Sequence, residues 1–541
     1  MSLIPRTVTH ILIIFGLLIS NLPAVTLTNS NLPIFVINTN GRTIVDEPRI
    51  AAVLGVIYGG EGQRNYLTDG YNHYDGRIEI ELRGSSSLWY PKNSYRFEIQ
   101  NALGEDSSVS LVGLPKEADW ILYAPYENPS QTEPWDDLTM LRNALAYGIS
   151  NDMGRYASRV RFCELIVNND YKGLYLLLEN IKRDKNRVDI AKMTPADTSG
   201  DDLTGGYIIK SDRVDNTSTD GWYSPNGIYY AYVYPKDEEI TSQQKKYIRQ
   251  YITGFESAMN HSNPADPVTG YPAYIDLDSF VDHFLLNEFC RNIDAYRLSA
   301  FFHKDKNGKL CAGPIWDFNL TFGKAWYTTY KDIYIHWEVD HDTYMPDDWP
   351  KIPFWWKKLV RQAGFAERAA ERWYELRSGI LDIDSLNSRI DTMVEYIAEA
   401  RARNSARWPA MGDAVVYANE ITYLKNWIRN RITWIDANIG SLNAIQPLPS
   451  SVIPSAFSLD QNYPNPFNAE TRIQFAVPSA ERVKLEIINL HGQHIADLLD
   501  KVVESGQYEI GWNAGNIAAG IYFIYLQAGD FKAVRKLTLL K

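Results

Sequence analysis

Apolar and polar residues alternate in IEIELRG (78–84) and SYRFEIQ (94–100), and this period of two predicts two strands joined through the Gly/Ser/Pro-rich stretch between them. Residues 33 to about 125 read as strand-rich throughout. The period lengthens to helical spacing in LTMLRNALAYGISNDMG (138–154), which ends at Gly154, a natural C-cap. FCELIVNNDYKGLYLLLENIK (162–182) predicts two strands turning at Asn168-Asn169-Asp170, and GGYIIKSD (205–212) predicts another. From Thr241 the pattern is helical through TSQQKKYIRQYITGFESAM and DLDSFVDHFLLNEFCRNI. LSAFFHKDKNGKLCAGPIWDF (298–318) then predicts a hairpin turning at Lys306-Asn307-Gly308. Residues 355–440 are charged and amphipathic, a helical subdomain. QPLPSSVIPSA (446–456) reads as a linker, and 457–541 alternates over short strands with turns at His491-Gly492, Ser505-Gly506 and Ala519-Gly520, predicting a small immunoglobulin-like β-sandwich.

Composition narrows the classes. At 541 residues the chain is too long for one ordinary core. Its net charge of −12 argues against nucleic acid as a partner, because that binding needs a basic face. The first residues, one cation followed by ILIIFGLLI (11–19) and then small and polar residues near Ala24, predict a secretory signal peptide over 1–24. No later segment is apolar for long enough to suggest a transmembrane helix in the mature protein. The three cysteines, Cys163, Cys290 and Cys311, have no metal-type spacing and are expected as buried thiols.

Two carboxylates draw attention on position alone. Asp294 follows an amphipathic helix in CRNIDAYRLS, and Asp317 ends a strand in GPIWDFNLTFG. The hairpin between them would return both to one edge. Phosphoryl transfer needs such a pair, one to take the attacking proton and one to hold Mg²⁺; glycoside hydrolysis needs a pair too, and spacing does not separate them. Capping and surface roles are the commoner fate of Asp at element ends. Arg83, Lys92 and Arg96 lie on neighbouring strands, and strand periodicity puts Lys92, Ser94 and Arg96 on one face, where they would neutralise phosphates or simply be solvated.

RGSSSLWYPKNSYRFEI, WILYAPYENPS, LRNALAYGIS, ELIVNNDYKGLYLLLENIKRDKNRVDI, GGYIIKSD and GPIWDFNLTFG, in this order, resemble the spore-coat protein H (CotH) kinase family over roughly 75–325, with a helical continuation to about 440. The resemblance implies an α+β, atypical protein-kinase-like fold over 33–325, a helical extension over 326–442, and phosphate transfer from ATP with Mg²⁺ or Mn²⁺ to protein Ser/Thr. It implies Asp294 as the catalytic-loop aspartate and Asp317 as the metal-binding one. Lys92 or Arg96 would contact phosphates with Arg83 nearby, Glu179 would anchor that basic residue or the metal, and Arg142 is a further pocket candidate or a structural arginine. The chain departs from ordinary kinases in having Ser299 where a metal-binding Asn stands and Asn319 for the glycine of Asp-Phe-Gly; no GxGxxG loop is present, Gly84 being the nearby glycine.

Two other stretches carry chemistry. Trp316, Trp326, Trp337, Trp349, Trp355, Trp356 and Trp373 are expected mostly as core, the remainder as a platform for polysaccharide or peptide. Asp340, Asp342, Asp347 and Asp348 offer carboxylates for a structural Ca²⁺, without EF-hand spacing, and a solvated acidic loop is the plainer expectation. After a linker at 443–456, FSLDQNYPNPFNAETRIQFAVP, VKLEIINLHGQHIADLL and GWNAGNIAAGIYFIYLQAG resemble type IX secretion sorting domains. That implies the type IX machinery as partner, and a secreted or cell-surface protein of a Gram-negative-type bacterium whose substrate is itself a secreted or surface protein. The rival expectations are a catalytically silent scaffold or adhesin of the same fold, binding polysaccharide or protein, and, third, a hydrolase using the same carboxylates.

Overall fold

The computed structural model describes residues 25–84, 88, 90–127, 137–214, 220–324, 334–442, 446–447, 454–468, 470–503, 505–514 and 517–540. The signal segment, Trp326 and most of the linker lie outside them.

Seven strands close a barrel: β1 (Ile34–Asn38), β2 (Ile50–Ile57), β3 (Tyr74–Arg83), β4 (Ser94–Gln100), β5 (Asp119–Tyr123), β6 (Val160–Val167) and β7 (Asp170–Glu179), in the order β1-β2-β3-β4-β5-β7-β6. Every pairing is antiparallel except the closing one, where β1 meets β6 in parallel with Ile34 opposite Glu164. Alternation decides which side chains fill the barrel. Ile78 and Ile80, Phe97 and Ile99, Trp120 and Leu122, and Leu165, Tyr175 and Leu177 form its interior with Cys163. The opposite faces of β5 and β7, carrying Ile121, Tyr123, Leu174, Leu176 and Leu178, join a second core. Hence β5 is buried along its whole length. The β6–β7 turn falls at the predicted place, with Asn168 and Asn169 both at positive φ (51° and 62°), as a two-residue hairpin requires.

The second core is shared by helices and a five-stranded sheet. Its strands are β8 (Tyr207–Ser211), β9 (Gly221–Tyr223), β10 (Tyr229–Tyr234), β11 (Ala300–Lys304) and β12 (Leu310–Ala312), in the order β9-β10-β8-β11-β12. Its helices are α1 (Arg142–Asp152), α2 (Ser242–Met259), α3 (Leu277–Cys290), α4 (Phe354–Leu359), α5 (Ala363–Arg377), α6 (Ile383–Arg407) and α7 (Ala414–Asn438). Thr241 and Gln244 form a capping box on α2, and Asp382 and Asp413 cap α6 and α7, which places the helix starts. One continuous apolar cluster runs from Ile121 through Phe280 and Phe284 to Trp355, Trp356, Trp373, Trp427 and Ile435, so the helical extension has no core of its own. Trp349 alone among the described tryptophans of the Trp-rich stretch stands out, 71% exposed.

The extension straps back across the barrel. Trp408 donates to the Lys172 carbonyl (2.8 Å), Arg407 to the Tyr171 carbonyl (2.9 Å), and Asn404 accepts from the Leu174 N–H (3.2 Å). Gly173, at φ 107°, permits this approach: a Cβ there would lie 2.3 Å from Asn404 Oδ1.

The C-terminal module is all-β. One sheet joins 446–447, 506–513, 470–477 and 458–459; the other joins 467–468, 531–540, 520–528, 481–489 and 494–503. Ile473, Phe475 and Ile510 share one core with Val483, Leu485, Ile487, Ile524 and Leu537. Gln446–Pro447, expected within the linker, pairs with Tyr508–Glu509. All three cysteines are free thiols, and no helix among the described residues is long and apolar enough to cross a membrane.

Candidate active site

A cleft of roughly 1080 Å³ opens between the barrel and the second sheet. The ends of β3, β4, β5 and β7 supply one wall, β8, β10 and β11 the other, and the loops around Asp294 and Asp317 the end.

Asp317 is placed by α1. Asn143 and Tyr147, four residues apart on one face of that helix, accept hydrogen bonds from the backbone N–H groups of Phe318 (2.8 Å) and Asp317 (3.0 Å). Asp317 itself takes the left-handed conformation, φ 64°. The Tyr147 ring stacks on Trp316, and the Arg83 guanidinium lies 5.2 Å from the Trp316 ring centre. Burial pushes the Asp317 carboxyl up; Arg83 opposes this, and Asp212 adds to it.

Asp294 sits in the irregular stretch after α3. Arg291, Tyr296 and Ser299 all have positive φ (47°, 70° and 47°), a density of left-handed non-glycine residues that persists only where surroundings enforce it. The enforcing bonds are visible: Asn292 Oδ1 accepts from the Asp294 N–H (3.2 Å), the Asp294 carbonyl accepts from the Leu298 N–H (3.0 Å), and Tyr296 donates to Glu288 Oε1 (2.8 Å). The Asp294 side chain keeps 17% exposure. Burial raises its carboxyl to about 6; Arg297 and His341 pull it down while Asp317 and Asp348 push it up.

Ser299 and Asn319 line the same cleft, as do Arg83 and Arg96. Arg96 is anchored by Asp119 (3.1 Å), which also accepts from Lys182 (2.8 Å). Burial alone would raise Asp119, but Lys182 and Arg96 outweigh it and hold the carboxyl below its usual range. Lys182, Arg183, Lys210 and Lys236 add cations to the walls.

Three expected site residues stand elsewhere. Lys92 is 1% exposed and donates to the carbonyls of Leu174 (2.6 Å) and Pro125 (3.1 Å) beneath the Tyr175 ring. β4 begins only at Ser94, so strand periodicity does not extend to Lys92. Glu179 is fully buried and accepts from Arg159 (2.7 Å) and Arg187 (3.1 Å), while Arg96 is anchored by Asp119. Arg142, fully buried, bonds Asp137 (2.7 Å), Glu420 of α7 (2.9 Å) and the Thr321 carbonyl (3.0 Å), tying the extension to the core as a structural arginine.

Sequence reasoning missed Asp119, Lys182 and Asp212. Asp212 had the same signal as Asp317, a carboxylate just past a strand end, and it lies in a segment already singled out. In the acidic loop, Asp340 pairs with Arg361 (2.6 Å), Asp342 with Lys357 (3.1 Å) and Asp348 with Arg297 (2.7 Å). These carboxylates are matched by cations of the chain itself. Among the described residues the three-ligand cluster is elsewhere, at Glu486, His494 and Asp497.

Comparison with known proteins follows the same outline. A family model described as CotH kinase protein matches residues 80–435, and one described as secretion system C-terminal sorting domain matches 461–539. No curated protein matches. Among solved structures, S. aureus TarS 217–571 aligns at 11% identity over 34% of this chain and 63% of its own, with a TM-score of 0.12. The twitchin kinase region from C. elegans aligns at 8% identity over 95% and 99%, with a TM-score of 0.13. Neither score carries weight; the family matches do.

Proposed function

The chain belongs to the CotH kinase protein family, and on that premise we propose that it is a secreted phosphotransferase moving the γ-phosphoryl group of ATP to a Ser or Thr hydroxyl of a secreted or surface protein. The observation that supports this best is the meeting of Asp294 and Asp317 at the end of one cation-walled cleft. Its volume suits a nucleotide with part of an acceptor chain.

In the proposed step the acceptor oxygen forms a bond to the γ-phosphorus, the bond from that phosphorus to the bridging oxygen breaks, and ADP leaves with its electron pair. Asp294 takes the hydroxyl proton. A carboxyl raised to about 6 is a better base than an ordinary aspartate yet still ionised near neutral pH. Asp317, with the Asn319 amide oxygen and the Ser299 hydroxyl on the same cleft, would hold Mg²⁺ or Mn²⁺. The fit is chemical: these are hard oxygen donors, and Asp212 and Asp294 line the same cleft with further carboxylates. A bound cation supplies positive charge against the β- and γ-phosphates. Arg83 and Arg96 take the remaining phosphate charge, Arg96 held in place by Asp119.

The sorting domain supports delivery through the type IX machinery to the outside of the cell. A second reading, a surface scaffold gripping polysaccharide, draws on Trp349 with the exposed Tyr334 and Tyr344 of the same stretch.

Differential scanning fluorimetry with Mn²⁺ and a non-hydrolysable ATP analogue tests the nucleotide site. The wild type is expected to melt higher by several degrees and Asp317→Asn to lose most of that gain. No shift in the wild type with Mn²⁺, or with Mg²⁺ in its place, would end the phosphotransferase reading.

A further inference from the structure

Arg297 is 3% exposed and stands at a junction. Its Nε and Nη2 donate to the Ile293 carbonyl (3.3 and 2.9 Å), next to Asp294 in the chain, and its Nη1 donates to the Pro350 carbonyl (3.2 Å). Nη2 also lies 2.7 Å from Asp348 Oδ2 and 3.5 Å from Asp294 Oδ1. Asp348 is backed in turn by His341, whose Nε2 is 2.8 Å from the same oxygen, while Nδ1 of that ring is 2.7 Å from Glu338. Two carbonyls and the Asp348 carboxylate share the planar guanidinium, which aims one nitrogen at the base.

We propose that Arg297 and Asp348 are positioning residues for Asp294, so that residues 338–350, beyond the hairpin that separates Asp294 from Asp317, complete the catalytic end of the cleft. This rests on the phosphotransferase reading. Asp348 holds the guanidinium partly away from Asp294, leaving the Asp294 carboxylate free to accept a proton; a guanidinium without that second partner would close on Asp294 and quench it. Among the described residues Arg297, His341, Asp317 and Asp348 act most strongly on Asp294, and the two positioning residues act on it with opposite sign.

The test uses the full chain with aspartate ¹³C-labelled at the carboxyl carbon, the Asp294 signal identified by its loss in Asp294→Asn. The midpoint of that signal is titrated in wild type, Asp348→Asn and Arg297→Met, beside labelled-phosphate transfer from ATP to casein. Asp348→Asn is expected to lower the midpoint and Arg297→Met to raise it. Where transfer is measured, Asp348→Asn is expected to lose ~10²-fold in kcat with little change in KM for ATP, and Asp348→Glu to recover part of it. Midpoints that stay fixed, or move the same way in both variants, overturn the proposal, because a purely structural pair has no reason to shift them oppositely. Opposite shifts in a wild type that transfers no phosphate would contradict the phosphotransferase reading and leave the Arg297–Asp348 control of Asp294 standing. Transfer with unmoved midpoints would do the reverse.

Discussion

Replacing Asp294 by Asn removes one ionisable group from the cleft at nearly constant size, and its effect on stability has a definite sign in pH. Burial lifts this carboxyl from an ordinary 3.8 to about 6. A group whose folded pKa lies above its unfolded one stabilises fully below the unfolded value, and loses that contribution as pH rises through the folded value. The wild type therefore gives up stability between about pH 4 and pH 6 that the Asn variant keeps. At ~1.4 kcal/mol per pH unit, a gap of about two units amounts to ~3 kcal/mol. With ~2.1 cal/mol/K of unfolding entropy per residue, a body of roughly 400 residues has ~0.8 kcal/mol/K, so ~3 kcal/mol is ~4 °C in Tm. The assay is scanning fluorimetry of both proteins, without metal or nucleotide, in steps from about pH 4 to pH 8. The Tm of Asp294→Asn should climb relative to wild type by about that amount and level off above about pH 7. A difference that is flat in pH, or that moves in favour of the wild type, would refute the reasoning about this site.

Other substitutions separate structure from site. Lys92→Met should leave the nucleotide-induced Tm shift intact while costing ~1–3 kcal/mol in urea unfolding, because the carbonyls of Leu174 and Pro125 lose a buried donor. Arg142→Met should cost ~3–5 kcal/mol in the same assay, since it removes a buried guanidinium that bridges Asp137, Glu420 and the Thr321 carbonyl. Gly173→Ala should destabilise by ~2 kcal/mol or more, read as a lower urea midpoint, because its Cβ meets Asn404 and its φ of 107° disfavours a side chain.

Local elements were legible because local residues decide them. β4 matches its predicted span, the β6–β7 turn falls at its two asparagines, and α2, α6 and α7 start at side-chain caps written in the sequence. Barrel closure was not legible, since the parallel contact of Ile34 with Glu164 joins positions 130 residues apart and neither strand signals it. The helical extension reads as a subdomain continuing the body because each helix is amphipathic and its tryptophans look mostly like core; packing shows its apolar faces merged with the core of the body. At the site, Asp294, Asp317, Ser299, Asn319, Arg83 and Arg96 do converge. Lys92 failed because a strand period was carried past the strand's first residue, and Glu179 failed because its partners, Arg159 and Arg187, come from outside the strand. Arg142 could not be assigned from sequence at all: the carboxylate of Glu420 that fixes it lies 278 residues away.

The central claim is phosphoryl transfer at the Asp294–Asp317 cleft. Its most direct test is incubation of the purified chain with γ-labelled ATP, Mn²⁺ and casein, beside Asp294→Asn and Asp317→Asn. The account predicts label on protein Ser or Thr with the wild type and a loss of at least ~10²-fold in each variant. No label from the wild type, or label undiminished in both variants, would contradict it.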